Sequence, residues 1–212
     1  MPTNNKKDIY RRNINYSSIS LISNKLKVGI IGGGKGGKIK AKHFLKEKAQ
    51  VFIITKDKIS KEGIEEAIII NKEYDRSFIL DKHIIIIAVE NEVLRDEIKK
   101  HCDEVCKIYI DASNFKEGMA VLPVQRESEN LVFTLNTKIG NPKASVFISN
   151  KIEKELKEYD DFVKFTTLVR NSLKENYKKN EILNFIFNDD FLFFFNKGKG
   201  SIILKMFYKG IL

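Results

Sequence analysis

"KVGIIGGGKGGKIKAKHF", Lys27 to Phe44, is the stretch on which the fold turns. A short apolar run, Val28 to Ile31, enters five glycines in the six positions 32–37 and leaves into a basic, helix-like segment. Glycine gives up more backbone freedom on folding than any other residue, so this density needs a compensating use. Glycines 32, 34 and 37 fit G-x-G-x-x-G. The match lies between a predicted strand and a predicted helix, the context that a dinucleotide fingerprint requires. In that context Gly32 permits the tight turn, Gly34 lets a diphosphate approach the backbone, and Gly37 lets helix and strand pack closely. Gly33, Lys35 and Gly36 complete the loop, and the free N–H groups and dipole of the helix start attract the anion. A glycine turn with no ligand is the bland alternative.

Outward from the loop, the pattern alternates. Val28–Ile31 reads as a buried strand and Lys38–Glu47 as a helix with Ile39, Ala41, Phe44 and Leu45 facing inward. "VFIIT" (51–55), "AIIIN" (67–71), "HIIIIAV" (83–89) and "KIYID" (107–111) read as further strands. The fourth of the five, apolar throughout, is expected to be covered on both faces as in a parallel sheet. "NEVLRDEIKKHC" between the last two has helical period. Strand–helix–strand alternation implies an α/β, Rossmann-like, doubly wound parallel sheet. After Asp111 the style changes. Ala120–Val124 and Leu131–Thr137, joined by "QRESEN", suggest a hairpin or crossing strands, and helical period dominates from Pro142: 143–157, 160–178 and 180–195. The expected organisation is a dinucleotide-binding domain at 1–111, a small mixed segment at 112–142 and a helical C-terminal domain at 143–212. Apolar strands at 112–140 with little sheet of their own predict that this segment makes a homodimer.

Composition sets the remaining bounds. A net charge of +10 and a pI near 9.4 favour anionic partners. The lysines are dispersed, so nucleic acid is not the expected partner. The lead-in 1–18 is polar, with no signal-peptide core, and the late apolar run is broken by Asp189, Asp190, Lys197 and Lys199, so no membrane span is expected and a cytoplasmic protein is. Cys102 and Cys106, at i and i+4, share a helix face and invite a metal hypothesis with His101, but structural zinc needs a second pair of ligands. Packing cysteines are expected, and no metal site.

Two further positions carry chemistry. The acid that should end the second strand and bind the adenosine ribose is missing; Thr55, Lys56 and Asp57 stand there. Lys56 suits a 2′-phosphate and Asp57 lies one residue late for the ribose, so NAD and NADP both stay open. Asp111 ends the fifth strand, on the edge where open α/β sheets bind ligands, and reads as a general base, a metal ligand or a turn residue, because "DASN" is also good turn chemistry.

Four segments in order carry a resemblance. "SLISNKLKVGIIGGGKGGKIKAKHFL" is similar to an opening "VGGGKVAxRKAxxLL", "HIIIIAVENEVL" to "LVIAATDDxxL", "IYIDASNFKEGMAVLPV" to "VNVVDxxxxxxFxxPA", and "LVFTLNTKIGNPKAS" to "LxIAISTxGxSPxLA". Together they resemble the precorrin-2 dehydrogenase/sirohydrochlorin ferrochelatase family of siroheme synthesis, from about Ser18 to Leu156. The resemblance implies NAD-dependent oxidation of precorrin-2, an anionic tetrapyrrole, to sirohydrochlorin by a homodimer. It implies that Gly32–Gly37, Lys56, Asp57, Ala88, Val89 and Glu90 lie against the dinucleotide. Asp111 matches the functional aspartate, and Asn136, Thr137 and Asn141 fall on the substrate segment. A bifunctional dehydrogenase/ferrochelatase, or a non-catalytic dinucleotide-binding module, are the alternatives. The chain departs from the family at Val89-Glu90-Asn91 (for Thr-Asp-Asp), Ile108 (for Asn), and Ile39, Val146 and Ser149 (for Arg), so several groups that would meet substrate carboxylates are absent.

Overall fold

A computed structural model describes residues 14–211, which form two compact units. The polar lead-in before Ile14 lies outside the described residues. The first unit, Ser17–Leu122, is built on β1 (Lys27–Ile31), α1 (Lys35–Lys46), β2 (Gln50–Thr55), β3 (Ile68–Asn71), the short α2 (Ser77–Leu80), β4 (Ile84–Ile87), α3 (Glu92–Glu104) and β5 (Ile108–Asp111). Its 5-stranded sheet has the order β3-β2-β1-β4-β5, every pair parallel. The chain therefore reverses its direction of growth between β1 and β4, which makes the crevice at their carboxyl ends the ligand position of such sheets.

Side-chain alternation along the strands sorts the core into two layers. Val28, Ile30, Ile53, Ile84 and Ile86 pack with Ala41 and Phe44 of α1. Ile31, Ile54, Ile85 and Ile87 pack with Phe78, Ile98 and Cys102 on the other face. All four residues of β4 are buried, so the expected two-sided covering holds. The α1 stripe differs by one position. Gly37, Ala41 and Phe44 face the sheet, whereas Ile39 is exposed, because it lies two residues, about 200° of helix, from Ala41. The unit also continues past Asp111. The Ala120 N–H donates to the Tyr109 carbonyl, and Ala120 and Leu122 pack against the first core layer.

That docking moves the hairpin. In the second unit, which runs from Pro123 onward together with residues 14–16, β6 is Val124–Glu127, after Pro123, rather than 120–124. It pairs antiparallel with β7 (Val132–Leu135). The helices follow as α4 (Pro142–Lys157), α5 (Asp160–Ser172), α6 (Lys179–Ile186), α7 (Asp189–Asn196) and α8 (Gly200–Phe207). The single helix expected over 180–195 is two. Asn188 is extended and its side chain accepts the Phe191 N–H, capping a new helix and ending the old one. The helical core is Phe162, Val169, Leu173, Ile182, Ile186, Phe191 and Leu204. Among the described residues, no helix is long and apolar enough to cross a membrane.

Candidate functional site

The carboxyl ends of β1, β2, β4 and β5 bring together most of the residues that the sequence singles out. Gly32 follows β1 with φ +109°, a conformation in which an L side chain is strained, and its N–H donates to the Ile54 carbonyl at 2.9 Å. A Cβ there would meet the Ala88 carbonyl oxygen at 2.3 Å, so the loops after β1 and β4 abut at the switch point. Gly37 packs under the loop: a Cβ would stand 2.1 Å from the Gly32 carbonyl oxygen. Gly34 is the opposite case. It caps α1, and a Cβ on it would have nothing within 4 Å, as would one on Gly36. Open space therefore lies before the first turn of α1, whose N–H groups have no intrahelical acceptor. Gly32 and Gly37 shape the loop, and the space at Gly34 is open. The cradle fits a dinucleotide diphosphate.

At the end of β2, Thr55 is buried, with its hydroxyl turned to Gly33, where a Cβ would meet Oγ1 at 3.0 Å. Lys56 and Asp57 are exposed. The Lys56 ammonium pairs at 2.8 Å with Glu73, from the loop after β3, and this hydrogen bond pushes the lysine pKa up. Ala88 and Val89 are half-buried after β4 and Glu90 is exposed, with Asn91 capping α3 through the Leu94 N–H.

Asp111 ends β5 with no exposed side-chain surface. Its Oδ1 accepts the Ser113 and Asn114 N–H groups at 2.8 and 2.9 Å. Its Oδ2 stands 3.0 Å from the Lys99 ammonium and 3.6 Å from Arg95 Nε, yet aligns with neither, so Oδ2 and Nε are both buried without a hydrogen bond. Burial pushes the Asp111 carboxyl up, but the Asn114 amide, Lys99 and the Ser113 amide outweigh it and hold the group below the usual carboxylate range. The turn role open to "DASN" is present in full, and a residue in contact with ligand would have to be uncovered first. Lys99 also pairs with Glu117 and, at 3.5 Å, with Asp96. This cluster of Arg95, Lys99 and Glu117 was not among the residues expected from sequence. The available signal was two cations, four apart on α3, set within the inward stripe of Leu94, Ile98 and Cys102.

The remaining expected residues lie in the second unit. Asn141 caps α4 by accepting the Ala144 N–H at 3.0 Å, and its own N–H donates to the Thr137 hydroxyl. Asn136 is exposed just beyond β7. Cys102 is buried in the core, Cys106 is exposed, and His101 Nδ1 lies 3.1 Å from the Tyr74 hydroxyl. Among the described residues no three His, Cys, Asp or Glu side chains are grouped to hold a metal.

Known proteins resemble this chain in sequence and fold. The sequence model of a family described as "Putative NAD(P)-binding" matches residues 19–124, half of the chain. A curated protein of Methanocaldococcus jannaschii named "Putative precorrin-2 dehydrogenase" is 28% identical over 180 residues, 77% of this chain and 86% of its own length. A solved structure described as "SirC, precorrin-2 dehydrogenase" superposes with a TM-score of 0.67 at 18% identity, covering 90% of this chain and 100% of that one. The expected resemblance is borne out, and the fold, a Rossmann-like sheet followed by a helical region, is that of the solved neighbour.

Proposed function

Because the chain belongs to the NAD(P)-binding family, we propose that it is a dehydrogenase of the precorrin-2 type, oxidising precorrin-2 to sirohydrochlorin with NAD as hydride acceptor. The open cradle at Gly34 carries this reading, in a chain similar over most of its length to a protein named for that activity. When bound, the dinucleotide supplies the carbon centre that accepts hydride.

The chain's own residues do the rest. The backbone N–H groups of residues 33–36 bind the diphosphate, with the dipole of α1 behind them. Lys56 and Asp57 meet the adenosine ribose, and Ala88, Val89 and Glu90 line the adjoining strand end. As hydride leaves a macrocycle carbon, a proton must also leave. Asp111, held ionised by Lys99 and two amides, receives it or holds the pyrrolic N–H from which it departs. A basic chain steers in a substrate ringed with carboxylates. Asn136, Thr137 and Asn141 serve as the substrate segment, and the active form is a homodimer.

An anaerobic absorbance assay tests this reading. Precorrin-2 with NAD⁺, and separately with NADP⁺, is expected to develop the sirohydrochlorin spectrum, and Asp111→Ala to slow it about 100-fold or more. Dinucleotide binding without turnover by the unaltered chain would leave a binding module instead, and full activity of Asp111→Ala would remove the carboxylate from the mechanism.

A further inference from the structure

We propose that Lys99 and Arg95 form a carboxylate-binding site that Glu117 masks, so that a ligand carboxylate displaces Glu117 and releases residues 112–119 from over Asp111. This inference rests on the tetrapyrrole reading, which supplies a ligand bearing several carboxylates, and it says how a buried Asp111 comes into reach.

The segment is pinned at both ends and lightly held between them. At one end the Ala112 N–H donates to the Ile87 carbonyl at 2.9 Å; at the other the Ala120 N–H donates to the Tyr109 carbonyl at 3.0 Å. Between these pins Gly118 backs closely onto the β5 backbone at Asp111, and polar contacts supply the rest of the attachment. Asp111 Oδ1 takes the Ser113 and Asn114 amides, Glu117 takes the Lys99 ammonium, and the Asn114 side chain donates to Glu117 at 2.8 Å. The segment's two large apolar residues contribute little packing, since Phe115 and Met119 are both exposed, Met119 by 65%. A strap fastened by a carboxylate is one that another carboxylate can unfasten.

The cations beneath are under-used. Lys99 is shared among Asp111, Asp96 and Glu117, while Arg95 Nε is buried with no acceptor and the arginine's other contact is Glu92 at 3.6 Å. Asp111 and Asp96 would keep Lys99 charged if Glu117 left. Glu117 is about half-exposed while Lys99 is largely buried and keeps Asp111 and Asp96 as partners, so a ligand carboxylate arriving from solvent exchanges one ion pair on Lys99 for another. A ligand carboxylate has two oxygens and can also reach the unmatched guanidinium, which Glu117 does not. The exchange therefore favours a ligand presenting a carboxylate at the β5 edge, and it compensates for the arginines that the chain lacks at Val146 and Ser149.

The test uses uroporphyrin I, a macrocycle with eight carboxylates that the enzyme cannot oxidise in place of substrate, so the readout is independent of turnover. Amide hydrogen exchange over 112–119 is followed with and without the probe, alongside its affinity, in the wild type, Glu117→Gln and Lys99→Met. The probe is expected to speed exchange of the Ser113 and Asn114 amides in the wild type. Glu117→Gln is expected to exchange fast without it and to bind it about tenfold more tightly, and Lys99→Met about tenfold more weakly. Probe binding with unchanged exchange, or equal affinity in Glu117→Gln and wild type, overturns the masked site and leaves the tetrapyrrole reading standing. No binding to either protein overturns both. Glu117 lies on the surface, so its variant folds even if Lys99→Met does not.

Discussion

Gly37 packs so closely under Gly32 that a Cβ on the former would stand 2.1 Å from the carbonyl oxygen of the latter. Backbone cannot yield there as a flexible side chain would. Gly37→Ala is therefore expected to destabilise the first unit by about 2 kcal/mol or more, as overpacking does. Gly34→Ala meets nothing within 4 Å and replaces a helix-capping glycine at negative φ, so its folding should change little. Its methyl group instead occupies the space before α1, and dinucleotide affinity should fall about tenfold or more, the methyl replacing close backbone approach. Thermal melts with dinucleotide titrations separate the two. A Gly34→Ala protein that binds as well as wild type would put the ligand elsewhere.

This pair also shows what was legible in the sequence. The five strands, the parallel sheet and the tight glycine turn follow from local pattern, because a buried isoleucine run and a glycine-rich turn are each specified within a few residues. What pattern could not supply depended on contacts distant in sequence. Ala120–Val124 reads as a strand from composition, but Ala120 is claimed by Tyr109 and Leu122 by the first core layer, and the ladder starts after Pro123. The break at Asn188 was readable as a helix-start residue before two acids, yet the phenylalanines on either side keep one helical period going. At the site, Asp111 was legible and its surroundings were not, since Lys99 and Glu117 meet it only once α3 and the 112–119 segment are folded.

Asp111 gives a pH dependence whose sign is fixed by its neighbours. Its folded pKa is depressed, chiefly through the Asn114 amide and Lys99 acting against burial. A depressed carboxylate contributes stability above its unfolded pKa, about 3.9, and loses it as pH falls through the folded value. Asp111→Asn leaves Lys99 and Arg95 without their buried partner, which costs about 3 kcal/mol at pH 7. Urea midpoints should show that gap at pH 7 and a smaller one at pH 2.5. An equal gap at both would mean that the carboxylate is not held ionised by the cluster.

Asn141 can be divided between its structural and proposed substrate roles. Its side chain caps α4 through the Ala144 N–H. Asn141→Ala should cost about 1 kcal/mol of stability, and Asn141→Asp, another good cap, should restore it. If the side chain also meets substrate, Asn141→Asp should raise KM for an anionic macrocycle despite its restored melting temperature, by like-charge repulsion. Unchanged kinetics in the Asp variant would confine Asn141 to its cap.

Ser149 stands where the family pattern has an arginine, and its hydroxyl is fully buried on α4 with no hydrogen-bond partner. A buried donor without an acceptor is a penalty, not a support, and alanine is the better helix former. Ser149→Ala is thus expected to raise the unfolding free energy by about 1 kcal/mol, read as a shift in the urea midpoint with unchanged slope. Ser149→Arg, the family residue, would force a long cation into the same closed position and should destabilise strongly. The arginine cannot simply be restored at this position in the present packing, so a cation that meets a substrate carboxylate has to come from elsewhere in the chain, the role proposed above for Lys99 and Arg95.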